Sequence, residues 1–364
     1  MKIAEIIQCL EAIAPSALQE DYDNSGLLLG NPQDEVSKAL LCLDSTEAIV
    51  DEAIAQGCEL IIAHHPLIFK GIKRLNGNNY VEKTLLKAIR HGIAIYACHT
   101  NLDNVHHMGV NSMIAERLGL RNTKVLRPML QSLMKLVAFV PHAHTEAVLT
   151  AAFGAGAGGI GNYDECSFIL EGRGTFRPGL GTNPFIGEHG VRHIENEARV
   201  EWILPRYNLS AVMHAIRQAH PYEEIAYDLY AMEQANQDLG SGLVGELETA
   251  LSTEGFLTLL KDRMEIKQLR FTQNGGAAIK KVAVCGGSGS FLIKDARAVA
   301  DAYVTADVKY HEFFDAEDRL LLCDIGHYES EKYTIELFRR ILSEKFPNFA
   351  TIFARTDTNP VNYY

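Results

Sequence analysis

The seven cysteines of this 364-residue chain are scattered singly with no C-x-x-C pair, so the sequence offers neither a disulfide framework nor a thiolate zinc site. Several close apolar runs, as in "ALLCLD" and "LLLCDIG", where a small buried hydrophobe is the plain reading. Long apolar runs are missing as well: none approaches the roughly 18 residues that would suggest a membrane span. The opening "MKIAEIIQCLEAIAPSALQE" interrupts its apolar residues with Glu5, Gln8 and Glu11, which makes an amphipathic surface helix and not a signal peptide. No export and a cytoplasmic location are therefore expected. Positive charge is in deficit: 34 Lys and Arg stand against 46 Asp and Glu, a formal net charge of -12, which removes any general attraction to nucleic acid or anionic lipid. A local basic patch stays open, but without an obvious basic, aromatic-rich stripe no nucleic-acid partner is expected. The glycine-rich stretch around residues 153–190 lacks both the G-x-G-x-x-G pattern and a Walker lysine, so it reads as a flexible or tightly turned loop.

What is present is a globular composition, 47% hydrophobic and 22% charged, on a chain long enough for two or three domains. Residues 1–125 alternate as helix, "KALLCLDST" strand, "EAIVDEAIAQG" helix, "CELIIAHHP" strand, "YVEKTLLKAIRHG" helix and "IAIYACHT" strand. Continuous apolar strands separated by helices that close on Gly57 and Gly92 predict a mostly parallel α/β sheet covered on both faces. Residues 246–364 repeat the style, from "IKKVAVCGG" through "AYVTAD" and "RLLLCDIG" to a helix over "SEKYTIELFRRILSEKF". Between them, residues 126–245 change to alternating strands such as "LMKLVAFVP" and "ARVEWILP" with a helix "NLSAVMHAIRQAH", an inserted α+β module.

Ligands of parallel sheets collect at strand carboxyl ends, and three strand ends here carry polar groups: Asp44 after "LLCL", His64 and His65 after "LIIA", and His99 with Asp103 after "IYAC". His64 and His65 close "LIIA" in front of Pro66, which keeps His65 out of helical geometry. Adjacent strand residues point to opposite faces, so both serve one site only if the strand gives way there. On their own the pair is as compatible with a satisfied strand-end residue beside an exposed one. "ACHTNLDNVHHMGVN" places His99, Asp103, His106 and His107 after another strand, a carboxylate with imidazoles that suits metal ions. Asp103 could equally cap the following helix, and His106 and His107 read best as loop residues. In "DIGHYESEKYTIELF", His327 and Glu331 are four apart and share one helix face, whereas Glu329 faces elsewhere as a surface charge. His64, His65, Asp103, His327 and Glu331 together exceed what one tetrahedral ion requires, which makes a two-metal site natural.

"AHHPLIFKGIKRL", "HTNLDN", "ADVKYHEFFDA" and "IGHYESE", with "DNSGLLLG" and "TDTNPVNY", closely resemble the signature segments of the GTP cyclohydrolase 1 type 2 homologs, also called the Nif-three-like family. Ala306 stands where a Gly is common in that family. The resemblance implies an α/β core of two similar halves, a ring-shaped homohexamer and a dinuclear divalent-metal site of zinc, manganese or iron. It maps the metal ligands onto His64, His65, Asp103, His327 and Glu331, and gives His99 and His311 supporting or catalytic places beside them. "HPYEEIAYDLY" with its preceding helix is similar to the PII and CutA proteins, which implies a ferredoxin-like regulatory insert.

Two functions follow as expectations. One is a metal-dependent hydrolase acting on a nucleotide or another ring-containing or phosphorylated small molecule, with His99 or His311 moving a proton. The other is a metal-binding regulatory scaffold that senses a ligand through the insert. The first requires an open coordination position and the second a closed one.

Overall fold

The computed structural model describes residues 1–362. The chain divides into two compact units, residues 1–128 together with the chain from Gln237 onward, and Met129–Asn236. In chain order the first unit begins with α1 (Ile3–Ile13), β1 (Gly26–Leu29), β2 (Lys38–Cys42), α2 (Glu47–Gln56), β3 (Leu60–Ala63), α3 (Tyr80–His91), β4 (Ala94–Ala97), α4 (Thr100–Asp103), α5 (Val110–Leu118) and β5 (Arg121–Pro128). The second unit supplies β6 (Leu133–Pro141), α6 (Thr145–Gly154), β7 (Phe168–Phe176), β8 (His193–Pro205), α7 (Leu209–Ala219) and β9 (Tyr227–Ala231). The first then resumes with β10 (Gly240–Leu251), α8 (Thr253–Met264), β11 (Arg270–Phe271), β12 (Ile279–Ser288), α9 (Ile293–Val299), β13 (Ala302–Ala306), β14 (Leu321–Asp324), α10 (His327–Glu331), α11 (Thr334–Lys345) and β15 (Ala350–Phe353).

Local chemistry explains the crossover helices. The Thr46 and Asn79 side chains accept the Ile49 and Glu82 backbone N–H groups at the starts of α2 and α3, satisfying otherwise unpaired helix donors. Gly57 and Gly92 end the same helices in the left-handed region, at φ 65° and 64°, where a side chain would be strained. The strands they connect are buried throughout β3 and β4, as their unbroken apolar runs predict for a sheet covered on both faces.

The first unit holds two mixed sheets. One runs β1-β4-β3-β2-β15, parallel except for β1; the other runs β11-β14-β13-β12-β10-β5, with β12, β13 and β14 parallel. Both place strand carboxyl ends where the candidate site lies. The boundaries expected at 125/126 and 245/246 are displaced by this pairing. They fall inside β5 and β10, which lie antiparallel to one another with Val125 opposite Leu243. β15 likewise pairs with β2, so strands are exchanged between the outer segments. No local pattern marks these partners, because each lies more than a hundred residues away along the chain.

The second unit is a four-stranded antiparallel sheet in the order β7-β8-β6-β9. Alternate residues of β6 (Leu136, Ala138, Val140) and β8 (Ala198, Val200, Trp202, Leu204) join Val148 and Ala152 of α6 and Val212 and Ile216 of α7 in one core. The stretch expected as a loop contains β7, whose almost wholly exposed residues lack a buried face to reveal it in sequence. The helix expected over residues 330–346 is divided, with α10 ending at Glu331 and α11 beginning at Thr334.

Candidate metal centre

The double histidine follows β3 without leaving its neighbour. His64 and His65 donate their backbone N–H groups to the Cys42 and Leu43 carbonyls, at 3.2 and 2.9 Å, before Pro66 turns the chain. His99 follows β4, and Asp103 is the last residue of α4. At the end of β14, Asp324 receives the Gly326 and Val308 N–H groups at 3.1 and 3.0 Å, fixing the turn into α10 that carries His327 and Glu331. Gly287 lies against this helix so closely that a Cβ there would come within 2.4 Å of Glu331 Oε1, and its φ of 60° adds a second reason for glycine.

Every imidazole of the cluster is held from outside by Nδ1. His64 Nδ1 meets the Cys98 carbonyl at 2.9 Å, His65 Nδ1 meets Asp44 at 2.7 Å, His99 Nδ1 meets Asp23 at 2.8 Å and His327 Nδ1 meets Asp307 at 2.7 Å. A carbonyl can only accept, so His64 carries its proton on Nδ1 and, when neutral, turns the lone pair of Nε2 inward. That fully buried Nε2 has no hydrogen-bond partner, and neither has Asp103 Oδ1, 3.7 Å away. Glu331 Oε1 lies 3.8 Å from the same nitrogen. A neutral imidazole lone pair facing two carboxylate oxygens is a set of acceptors without a donor, which a cation would satisfy.

Glu331, itself buried, spans the cluster. Its Oε2 lies 3.0 Å from His65 Nε2 and 3.1 Å from His327 Nε2, which are 3.3 Å from each other. Three groups could hold a metal ion: His64, His65 and His99; His65, His327 and Glu331; and His64, Asp103 and Glu331. The charges reflect this crowding. Burial works against protonated imidazoles, but hydrogen bonds to Asp44 and Glu331 push His65 up to about 9, and those to Asp307 and Glu331 push His327 up to about 11. Burial and the charge of Glu331 push the Asp103 carboxyl up to about 7. Burial would also raise Glu331, but hydrogen bonds from its imidazole neighbours hold it well below the usual range.

The structure thus brings together His64, His65, His99, Asp103, His327 and Glu331. It does not bring His311 there. Asp307 takes φ 54°, and the chain then enters the 3-10 turn Tyr310–Ala316, which leaves His311 exposed between Tyr310 and Phe314, with ring centroids 5.1 and 6.4 Å away. His106 pairs instead with Thr123 at 3.1 Å, as a loop residue. Glu329 is no free surface charge, since it accepts the Asn359 side-chain N–H at 3.1 Å. Sequence reading placed Asp44 at a polar strand end without giving it a role, and missed the outer carboxylates Asp23 and Asp307. Asp23 and Asp307 lie in "DNSG" and "ADVK", and Asp44 follows the strand "ALLCL", so position was the available signal; their partners were not. The cluster opens on a cleft of about 1370 Å3, bordered by Phe69, Tyr80, Asn111 and Tyr328 and large enough for a nucleoside-sized ligand.

A model of the Duf34/NIF3 (NGG1p interacting factor 3) family matches residues 1–360. A Halalkalibacterium halodurans protein called "GTP cyclohydrolase 1 type 2 homolog" is 38% identical over 372 aligned positions, covering 100% of both chains. The Bacillus subtilis protein of that name is 38% identical over 365 positions, covering 99% of this chain and 98% of its own. Among solved structures, a Bacillus cereus protein described as related to NIF3 matches with a TM-score of 0.85 at 38% identity, over 100% of this chain and 99% of its own. A Staphylococcus aureus protein matches with a TM-score of 0.77 at 30% identity, again over 100% and 99%.

Proposed function

This chain belongs to the Duf34/NIF3 family, and we propose that it is a metal-dependent hydrolase whose cluster holds two divalent cations beside an open cleft. The observation that carries this reading is Glu331, whose Oε1 faces the His64 and Asp103 side while Oε2 faces His65 and His327. One carboxylate shared between two ligand sets would let His64, Asp103 and Glu331 hold one ion and His65, His327 and Glu331 another. The imidazole and carboxylate donors suit zinc, manganese or iron. Such ions, when bound, supply Lewis acidity and make a water more acidic.

The chain's own residues do the rest. Asp44, Asp307 and the Cys98 carbonyl fix imidazole orientation and leave Nε2 available for coordination. His99, oriented by Asp23, keeps Nε2 free to carry a proton to or from a substrate held in the cleft. Asp44 is itself held by Thr358, whose hydroxyl donates to Oδ2 at 2.8 Å, so the C-terminal segment "TDTNP" braces the centre. The substrate class is a nucleotide or related ring-containing small molecule, supported by the name of the curated relatives and by the size of the cleft.

The test is metal analysis of the purified chain followed by a screen of nucleotides and phosphoesters, with and without chelator. Metal-dependent release of formate or phosphate is expected. Bound metal without turnover on any candidate would sink the hydrolase and leave the regulatory scaffold. The outer carboxylates offer a separate check: Asp44→Asn and Asp307→Asn should each weaken metal affinity by about 10- to 100-fold in competition with a chelating dye. Unchanged affinity in both would detach these residues from the centre.

The same reading takes residues 129–236 as a ferredoxin-like, PII-like regulatory insert. Its β-α-β-β-α-β order and its antiparallel sheet, with the first and third strands at the centre, support this. It also carries a homohexamer, which sedimentation of the intact protein would check.

A further inference from the structure

The charges around the cleft are sorted by position. Besides Asp103 and Glu331, its lining includes Glu20, Asp44, Glu47, Asp307, Asp324 and Glu329, and among the described lining residues Arg270 is the one Lys or Arg. Arg270 is already engaged, since its guanidinium binds Asp324, donates to the Val308 carbonyl at 3.1 Å and lies 5.2 Å over the Phe313 ring. With the imidazoles neutral as metal ligands, eight carboxylates against one guanidinium leave seven negative charges, and two divalent cations would offset only four. The interior is thus poorly suited to a phosphate chain, which calls for unengaged Lys, Arg or backbone donors. It suits a ring whose N–H groups donate to carboxylates.

Cations that could meet a phosphate stand instead at the rim. Residues 69–80 begin and end on Phe69 and Tyr80, which both line the cleft, and between them Lys70, Lys73 and Arg74 are exposed with no acidic residue in the segment. None of the three makes an ion pair with another described residue. The segment is tied at both ends: Asn24 donates to the Ile68 carbonyl at 2.6 Å, and Glu82 accepts the Asn76 and Asn78 N–H groups at 3.1 and 2.9 Å. Phe69 is half-exposed, lines the cleft and meets His99 in a T-shaped pair, with ring centroids 5.8 Å apart at 88°, so part of its ring is open beside the cluster. An aromatic face is a sequence-tolerant platform for a planar base.

We propose that the cleft binds a planar nitrogen heterocycle bearing a phosphate tail in one orientation: the ring inward, stacked on Phe69 beside His99, and the phosphate outward on Lys70, Lys73 and Arg74. This rests on the metal-dependent reading above and adds the residues that select and orient the ligand. It makes the reacting atom part of the ring or its immediate substituents, and the phosphate a handle that is not cleaved.

The test is calorimetric titration of the metal-loaded full chain with guanosine and with guanosine 5′-monophosphate, with metal content measured on the same sample. The monophosphate should bind about tenfold more tightly than the nucleoside, and the combined Lys70→Ala, Lys73→Ala, Arg74→Ala variant should lose that advantage while keeping nucleoside affinity. Phe69→Ala should weaken both probes by about tenfold. A triple variant that still prefers the monophosphate would place the phosphate at the metal cluster and overturn the proposal. So would a Phe69→Ala variant with unchanged affinities, or a metal-loaded chain that binds neither probe. A purified chain that takes up no divalent metal would instead overturn the metal-centre reading, which keeps the two failures distinct.

Discussion

For the proposed two-ion hydrolase, Glu331→Gln should empty the cluster: divalent metal should fall from two ions per chain to less than one, with affinity down by about 100-fold or more and turnover lost with it. Glu331 is buried, and both of its oxygens face imidazole nitrogens, Oε2 at 3.0 and 3.1 Å from His65 and His327 and Oε1 at 3.8 Å from His64. The amide keeps the shape but removes the charge, and it turns one acceptor into a donor aimed at groups that must themselves accept or coordinate. Glu329→Gln is the matched control, because that residue lies on the same helix but pairs with Asn359 outside the cluster. Its metal content should stay at the parent value. If Glu331→Gln retains two ions at parental affinity, the assignment of Glu331 to both ligand sets is wrong.

The second large effect concerns stability. Leu136→Ala should destabilise the second unit by about 2–5 kcal/mol, because Leu136 is fully buried and the vacated volume has little means of closing. It sits on β6 directly opposite Trp202 of β8, in the core shared with α6 and α7. Trp202 is the single tryptophan of the chain and is itself buried, so its fluorescence under urea reports unfolding of this unit. Metal content should not change, since every cluster residue belongs to the other unit. A loss below about 1 kcal/mol would show that the site collapses around the missing side chain.

The core of the first sheet was legible because its signals are local. Apolar runs of four to five residues gave β2, β3 and β4, while Thr46, Asn79, Gly57 and Gly92 bounded the helices between them. Strands that pair across the sequence left no such mark. β5 is largely exposed, and β10 loses its buried pattern over its last residues, so the edges of the inserted unit were drawn through both. The division between α10 and α11 was hidden for a related reason: the residues on either side read as one continuous helical pattern.

For the site, residue type and strand-end position put His64, His65, Asp103, His327 and Glu331 forward as candidates from segments as much as 267 residues apart, and the family resemblance mapped the metal ligands onto them. The spacing of His327 and Glu331 on one helix face is a property of the chain itself. By itself, then, the sequence determined the strands and helix ends at the centre of the first sheet and the chemical character of the donors, because these depend on neighbours a few residues away. Only the tertiary structure decided that His64 Nε2 and Asp103 Oδ1 would be buried facing each other without a partner, and that Asp23, Asp44 and Asp307 would hold imidazoles from behind. It also decided that His311 would stand on the surface, because the turn after Asp307 sends the chain away from the cluster. Such relations depend on distances between strand ends, and those distances are set by which strands pair, a choice made by the packed core as a whole.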